Sequence, residues 1–296
     1  MYEKMSPDQV LLMIAIAAYV IGALALLVYF FSREEWLRNL GAPLAIAGCV
    51  AQFAQLIVRY ETTSVWPLLN LYGSLSLFAA MSVAIFVVFA FRYKLWFAGG
   101  LVLAIAAIAL AYGTTWNEGT MPAVPSLQSY WAKIHVPLVV SAYAALLVSF
   151  VLSILYLVRH YIERAMSVGP KAALASLDPP EGDNPTAAWL RTLPSLAQLD
   201  VLTYRAVAIG LPLLALGIFT GAMWAHESWG AYWQWDPKET AALFSAIVYL
   251  SYMHLHTRNN WKGLGSSWVS VLGFASIVFC YLGVNIWISG LHSYKM

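Results

Sequence analysis

The run VLLMIAIAAYVIGALALLVYFF, residues 10–31, fixes the kind of fold open to this chain. It carries no charge. As a helix rising about 1.5 Å per residue, it is long enough to cross a hydrocarbon layer ~30 Å thick. Further apolar runs follow at 41–58, 74–91, 95–112, 136–158, 207–225, 240–256 and 267–289, which with 10–31 makes eight predicted spans. Only Arg92, Tyr93 and Lys94 part the third from the fourth. The leader MYEKMSPDQ is net acidic and the run behind it is too long for a signal-peptide core, so 10–31 is expected to remain as a span.

Composition agrees with this reading. The 296 residues include 16 Lys+Arg and 14 Asp+Glu, so 10% are charged, and 61% are hydrophobic. A soluble domain carries ~25% charged residues and could not cover so much apolar surface at this length. Disorder needs low hydrophobicity and nucleic-acid binding needs a concentrated basic footprint. The expectation is an all-α integral membrane protein with one polytopic domain over 1–296 and no nucleic-acid partner. Cys49 and Cys280 sit inside apolar runs and form no CxxC pair, so they read as packing thiols.

Basic residues set the predicted sidedness. With an even number of spans both termini share one side. If that side is the outer one, eleven of the 16 Lys and Arg fall inside, among them Arg33, Arg38, Arg92, Lys94, Arg159 and Arg258. The only long polar stretch, 159–206, is then an inner loop. Its middle, SLDPPEGDNPT (176–186), reads as a linker. The following TLPSLAQLDVLTYRAV has helical spacing and suggests a short helix lying on the inner surface.

The segment Trp224-Ala-His-Glu-Ser-Trp229-Gly-Ala-Tyr232-Trp233-Gln-Trp235-Asp236-Pro237-Lys238-Glu239-Thr240 forms the predicted outer loop 224–240. Trp and Tyr favour membrane interfaces anyway. Four tryptophans and a tyrosine within 12 residues of one loop suit a flat platform for a flat ligand better than a belt spread over several helix ends. Asp236, Pro237 and Glu239 fit a capping box for the next helix, which competes with any acid–base role for the two carboxylates. That helix start also favours a nearby anion.

Six histidines complete the pattern. His160, beside Arg159, reads as a solvated residue at an inner helix end, and His226 as a hydrogen-bonding loop residue. His135 opens the fifth span and His292 follows the eighth, both on the side of the Trp loop. Such a pair can hold haem iron through imidazole. His254 and His256, near the inner end of the seventh span, are two residues apart, so their side chains diverge by about 200°. A histidine at membrane depth normally faces the bundle interior, while snorkelling competes for His256.

Trp229-Gly-Ala-Tyr-Trp-Gln-Trp-Asp-Pro-Lys-Glu-Thr240 resembles the WWD signature of haem-handling proteins. Its DPKET ending is most similar to that of the CcsA (ResC) family, the System II cytochrome c synthase subunit. The likeness extends through the His135 segment, Leu193-Pro-Ser-Leu196, Leu202-Thr-Tyr-Arg205, Thr220-Gly221, Leu255-His256-Thr-Arg258 and Gly283-Val-Asn285 to Gly290-Leu-His292-Ser-Tyr294.

The resemblance implies a site and a reaction. His135 and His292 would be the outer axial ligands of haem b, and the catalytic pair. Tyr232, Trp233 and Trp235 would contact the porphyrin, with Trp224, Trp229 and Asp236 completing the outer binding site. His256 would be the metal ligand of an inner haem site; His254 has no counterpart in the family pattern. Lys133 and Lys238 would be the candidates to pair with the haem propionates, by their proximity in the topology. The implied chemistry is thioether attachment of haem to a CxxCH apocytochrome c. A CcsB/ResB-like membrane subunit and a thiol-reducing pathway protein are the implied partners, in a bacterial inner membrane or a thylakoid. Two other readings stay open: a haem exporter or chaperone without ligase activity, and a bis-His electron-transfer cytochrome b.

Overall fold

The computed structural model describes residues 5–68, 70–116, 125–168, 185–258 and 260–288. His292 and the linker residues 176–184 lie outside the described residues. Among the described residues every regular element is helical.

Helix α1 (Pro7–Ser32) and α2 (Glu35–Thr63) are joined by a tight turn at Arg33, which takes the left-handed conformation (φ 59°) and returns its N–H to Tyr29 O at 3.0 Å. Helix α3 (Leu71–Tyr93) starts at Asn70, whose side-chain oxygen accepts from Gly73 N at 2.9 Å. It ends at Lys94 (φ 56°), and a single 3₁₀ turn leads into α4 (Gly99–Thr114). This is how three residues suffice to separate two spans.

Helix α5 (Tyr130–Val168) has 39 residues and runs well past the predicted 136–158. At about 1.5 Å per residue it outreaches a bilayer. Near its far end Arg159 bonds Glu163 at 2.7 Å and Leu193 O at 2.8 Å, and also meets Pro194 O, so it grips the turn that follows α6 (Pro185–Thr192).

The segment 159–206, predicted as an inner loop, differs from expectation. Ser195 and Gln198 form a reciprocal cap, at 3.2 and 3.0 Å, that starts α7 (Leu196–Trp229), and this helix runs unbroken into the span predicted at 207–225. The helical spacing of 196–206 therefore belongs to the foot of a long helix, not to a separate surface helix. Its buried stripe Leu199, Leu202, Ala206 continues as Gly210, Leu214 and Gly217, and the helix carries on through Pro212.

Helix α8 (Pro237–His256) is followed by α9 (Leu264–Trp287), whose ladder slips into a π turn at Phe279–Gly283. Helices α1 to α4 pack as one group and α5, α7, α8 and α9 as a second; α3 against α5 joins them, and the most extensive pairing is α5 with α7.

The outward faces are apolar. On α1, Met13, Ile14, Ile21, Leu24 and Val28 are exposed while Ala15, Tyr19 and Leu26 are buried. That is the arrangement of a helix in lipid, where small residues let backbones approach because apolar surface drives no association. Gly48 is such a contact, since a Cβ there would stand 2.7 Å from the Tyr19 ring. Asp8 and Arg59 form a buried pair at 3.2 Å between the ends of α1 and α2, with the guanidinium 4.5 Å above the Tyr72 ring.

Seven helices among the described residues are long and apolar enough to cross a membrane. The chain is thus an all-α, multi-span membrane protein. The remaining predicted span, the seventh at 240–256, forms α8 but falls short in apolarity. Its outward residues Phe244, Ile247 and Leu250 are exposed, yet Ser245, Tyr249 and Tyr252 face the bundle and are buried. At 20 residues it is about 30 Å long, a bilayer's thickness.

Candidate functional site

Two clusters occupy opposite ends of α8. At the Trp-loop end, the His135 Nδ1–H donates to Gly217 O at 2.8 Å across the α5–α7 seam. A carbonyl only accepts, so Nδ1 carries the proton and Nε2 keeps its lone pair, the state a metal-ligating imidazole needs. Thr220 Oγ1 donates to the same carbonyl at 3.0 Å. Gly221 makes room for the ring, because a Cβ there would lie 2.9 Å from His135 Cε1.

Helix α7 continues through Trp224 to Trp229, so only Gly230 to Asp236 of the expected 224–240 loop is non-helical. Trp224 is 4% exposed, its Nε1–H donates to Ser126 O at 2.7 Å, and its ring lies 5.7 Å from that of His135. It walls the histidine and anchors α7 to the segment before α5. Trp229 follows at 5.4 Å from Trp224. Tyr232 stacks on the exposed His226 at 4.1 Å, and Trp233 meets Trp235 edge-on at 5.7 Å.

Trp235 is 69% exposed and has φ +57°, a left-handed backbone that bulky residues rarely adopt. The Glu239 carboxylate holds it there by accepting the N–H groups on either side, Gln234 N at 2.8 Å and Asp236 N at 3.2 Å. Asp236 is buried and accepts Lys238 N at 2.9 Å, completing the capping box. The same motif that starts α8 therefore also presents the Trp235 ring.

Lys238 in this first turn bonds Asn285 Oδ1 at 2.8 Å, and Asn285 donates to Tyr281 O in the π turn at 2.8 Å. Asn285 was not singled out as a site residue from the sequence, although it lies in the Gly283-Val-Asn285 motif. Cys49 and Cys280 are free and buried.

At the other end of α8, His256 turns inward and His254 is exposed. The His256 ring stacks against Tyr204 at 4.6 Å and Tyr252 at 5.8 Å, and its Nε2 lies 3.0 Å from Asp200 Oδ2. Asp200 Oδ1 accepts Gly263 N at 3.0 Å and Ser266 Oγ at 3.1 Å. Asp200 thus binds α7 to the end of α8 and the start of α9. Gly263 must be glycine: its φ is +79°, and a Cβ would fall 2.2 Å from Tyr156 Oη. Sequence reading missed Asp200. Its only signal was an acid inside the apolar-periodic run LDVLTYR.

His160 stacks on Tyr156 at 6.1 Å near the end of α5, behind the tyrosine that packs against Gly263. Among the described residues no group of three or more His, Cys, Asp or Glu could hold a bare metal ion.

A multi-span helical bundle with a ligand-ready histidine beside an aromatic shelf defines a class of membrane protein. Residues 68–292 match the family model described as cytochrome C assembly protein, and the chain belongs to that family, as a CcsA-type member. It is 34% identical over 300 residues to the cytochrome c biogenesis protein CcsA of Synechococcus sp. (strain CC9902), covering 98% of each chain. With CcsA of Guillardia theta it shares 32% over 289 residues, covering 96% of this chain and 92% of the relative. Its fold is similar to a solved structure of the cytochrome c haem lyase CcmF, with TM-score 0.64 and 16% identity over 95% of this chain. It spans about half of that protein, 47%. The family places the chain in cytochrome c biogenesis, and its cyanobacterial and plastid-type relatives fit a bacterial or thylakoid membrane.

Proposed function

We propose that the chain holds haem b at its Trp-loop face and attaches it to the CxxCH motif of apocytochrome c. The observation that carries this reading is the His135–Gly217 hydrogen bond, which leaves Nε2 free beside Trp224 and the exposed aromatic loop. His292 is the proposed second ligand. The loop side is the outer side by the distribution of Lys and Arg, so both termini face out and haem passes outward from an inner site at His256.

Each thioether forms by adding a thiol across a vinyl double bond: sulfur bonds to one carbon, the thiol proton ends on the other, and no oxidant is consumed. The thiols must arrive reduced, which requires a thiol-reducing partner. The protein contributes position. Holding vinyl and thiol in register is worth up to roughly 7–11 kcal/mol in well-oriented cases. Tyr232, Trp233 and Trp235 offer π-faces to the macrocycle, while the buried Asp236 shapes the loop. Lys238 is a propionate partner at the base of the loop. A CcsB/ResB-like subunit supplies the remaining ligand of the inner site.

The test is co-expression of the chain with that partner and a CxxCH reporter, read by haem stain and pyridine haemochrome. Covalent haem that is lost in His135→Ala supports the reading. Bound haem with no covalent product sinks it in favour of export, and a haem that cycles redox state without leaving favours an electron-transfer cytochrome.

A further inference from the structure

Two of the histidines proposed as haem ligands, His135 and His256, differ in which nitrogen is free. His135 is bonded through Nδ1 and offers Nε2. His256 is bonded through Nε2, to Asp200. An ionised carboxylate only accepts, so the His256 proton sits on Nε2. The nitrogen left with a lone pair, Nδ1, adjoins the Cβ branch, where a planar macrocycle would run into the residue's own helix. The Tyr204 ring stacked at 4.6 Å crowds the imidazole further. As it stands, the His256 cluster does not admit haem.

We infer that Asp200 is a gate: it occupies the iron-binding nitrogen of His256, and haem enters the inner site only when the Asp200–His256 contact opens. This rests on the reading of His256 as the inner ligand. Two features make the contact a releasable one. Asp200 keeps Gly263 N and Ser266 Oγ on its other oxygen, so a turn of the His256 side chain away from Oδ2 leaves the carboxylate partnered. Asp200 and Tyr204 are four residues apart on α7, on one face, so the two groups that block His256 stay together as it moves.

The experiment uses the full chain in lipid nanodiscs, carrying His135→Ala to silence the outer site, titrated with haem b and followed by its Soret band. Asp200→Asn keeps an oxygen acceptor for Gly263 and Ser266 but weakens the charge-assisted bond to His256. Apparent affinity is expected to rise by about tenfold or more, the worth of one such bond. In the haem-free chain, diethyl pyrocarbonate should label His256 faster in Asp200→Asn, read by peptide mass spectrometry against the exposed His254. That readout needs no haem. Unchanged or weaker haem binding together with unchanged labelling overturns the gate. If His256→Ala leaves haem uptake intact, the ligand assignment itself falls, and the gate with it. If His256→Ala abolishes uptake while Asp200→Asn does not tighten it, only the gate falls.

Discussion

Gly221 passes so close to His135 that a methyl group on it would stand 2.9 Å from the imidazole Cε1 and 3.0 Å from Nδ1. The same edge of the ring is bonded through Nδ1 to Gly217 O, one turn earlier on α7, so the methyl group would stand where that bond holds the imidazole. Gly221→Ala should push His135 off its hydrogen bond. A misplacement of about 1 Å in a reacting group can cost roughly 10²-fold in rate, so covalent haem on a CxxCH reporter should fall by about that factor. Chain abundance in the membrane should stay near wild type. Full activity in Gly221→Ala would show that the His135 position is not critical.

Trp224→Phe removes the indole donor to Ser126 O while keeping an aromatic wall beside His135. The expected loss is about 1 kcal/mol of stability, seen as a lower apparent unfolding midpoint in detergent. Outer haem capture should survive in part. Complete loss of haem with no change in midpoint would mean that Trp224 acts directly on the ligand.

Glu239→Ala frees the two N–H groups that hold Trp235 in its left-handed conformation and removes half of the capping box. The cost to the start of α8 is about 1–2 kcal/mol. The more telling readout is Trp235, whose proteolytic and solvent accessibility should change while the bundle remains intact. Trp235→Gly should adopt the same backbone without strain and still lose haem capture, separating loop shape from aromatic surface.

Arg59→Ala leaves Asp8 as a buried uncompensated carboxylate and should destabilise by about 3–5 kcal/mol. Asp8→Asn combined with Arg59→Gln, which removes both charges, should recover much of that loss. The comparison is of unfolding midpoints. Equal damage in single and double variants would mean that the pair does not act as a unit.

The apolar runs gave the helices their places because length and lack of charge are all that a lipid environment demands. The Asp236-Pro237-Glu239 cap was legible for the opposite reason, being purely local. What the sequence concealed depends on packing between helices. The 192–207 stretch looked like a separate surface helix, since its amphipathic pattern is the same whether or not the helix continues. Spacing said that His254 and His256 diverge, and only the bundle shows that His256 is the inward one. Asp200 was invisible, because its partners lie 56, 63 and 66 residues away in the chain. Trp224 read as part of the aromatic shelf, whereas its burial makes it a wall.

Helix α8 begins at the cap under Trp235 and ends at His256, with neither glycine nor proline after Pro237. It therefore behaves as one stiff rod whose two ends keep a fixed rotational phase. An alanine inserted at mid-length would turn His256 by about 100° relative to the Trp235 loop and lengthen the rod by about 1.5 Å. Each end could still fold locally, yet the imidazole would leave Asp200 or the loop would twist away from His135. The spacing between the two clusters is thus as much a part of the sequence's information as the residues within them.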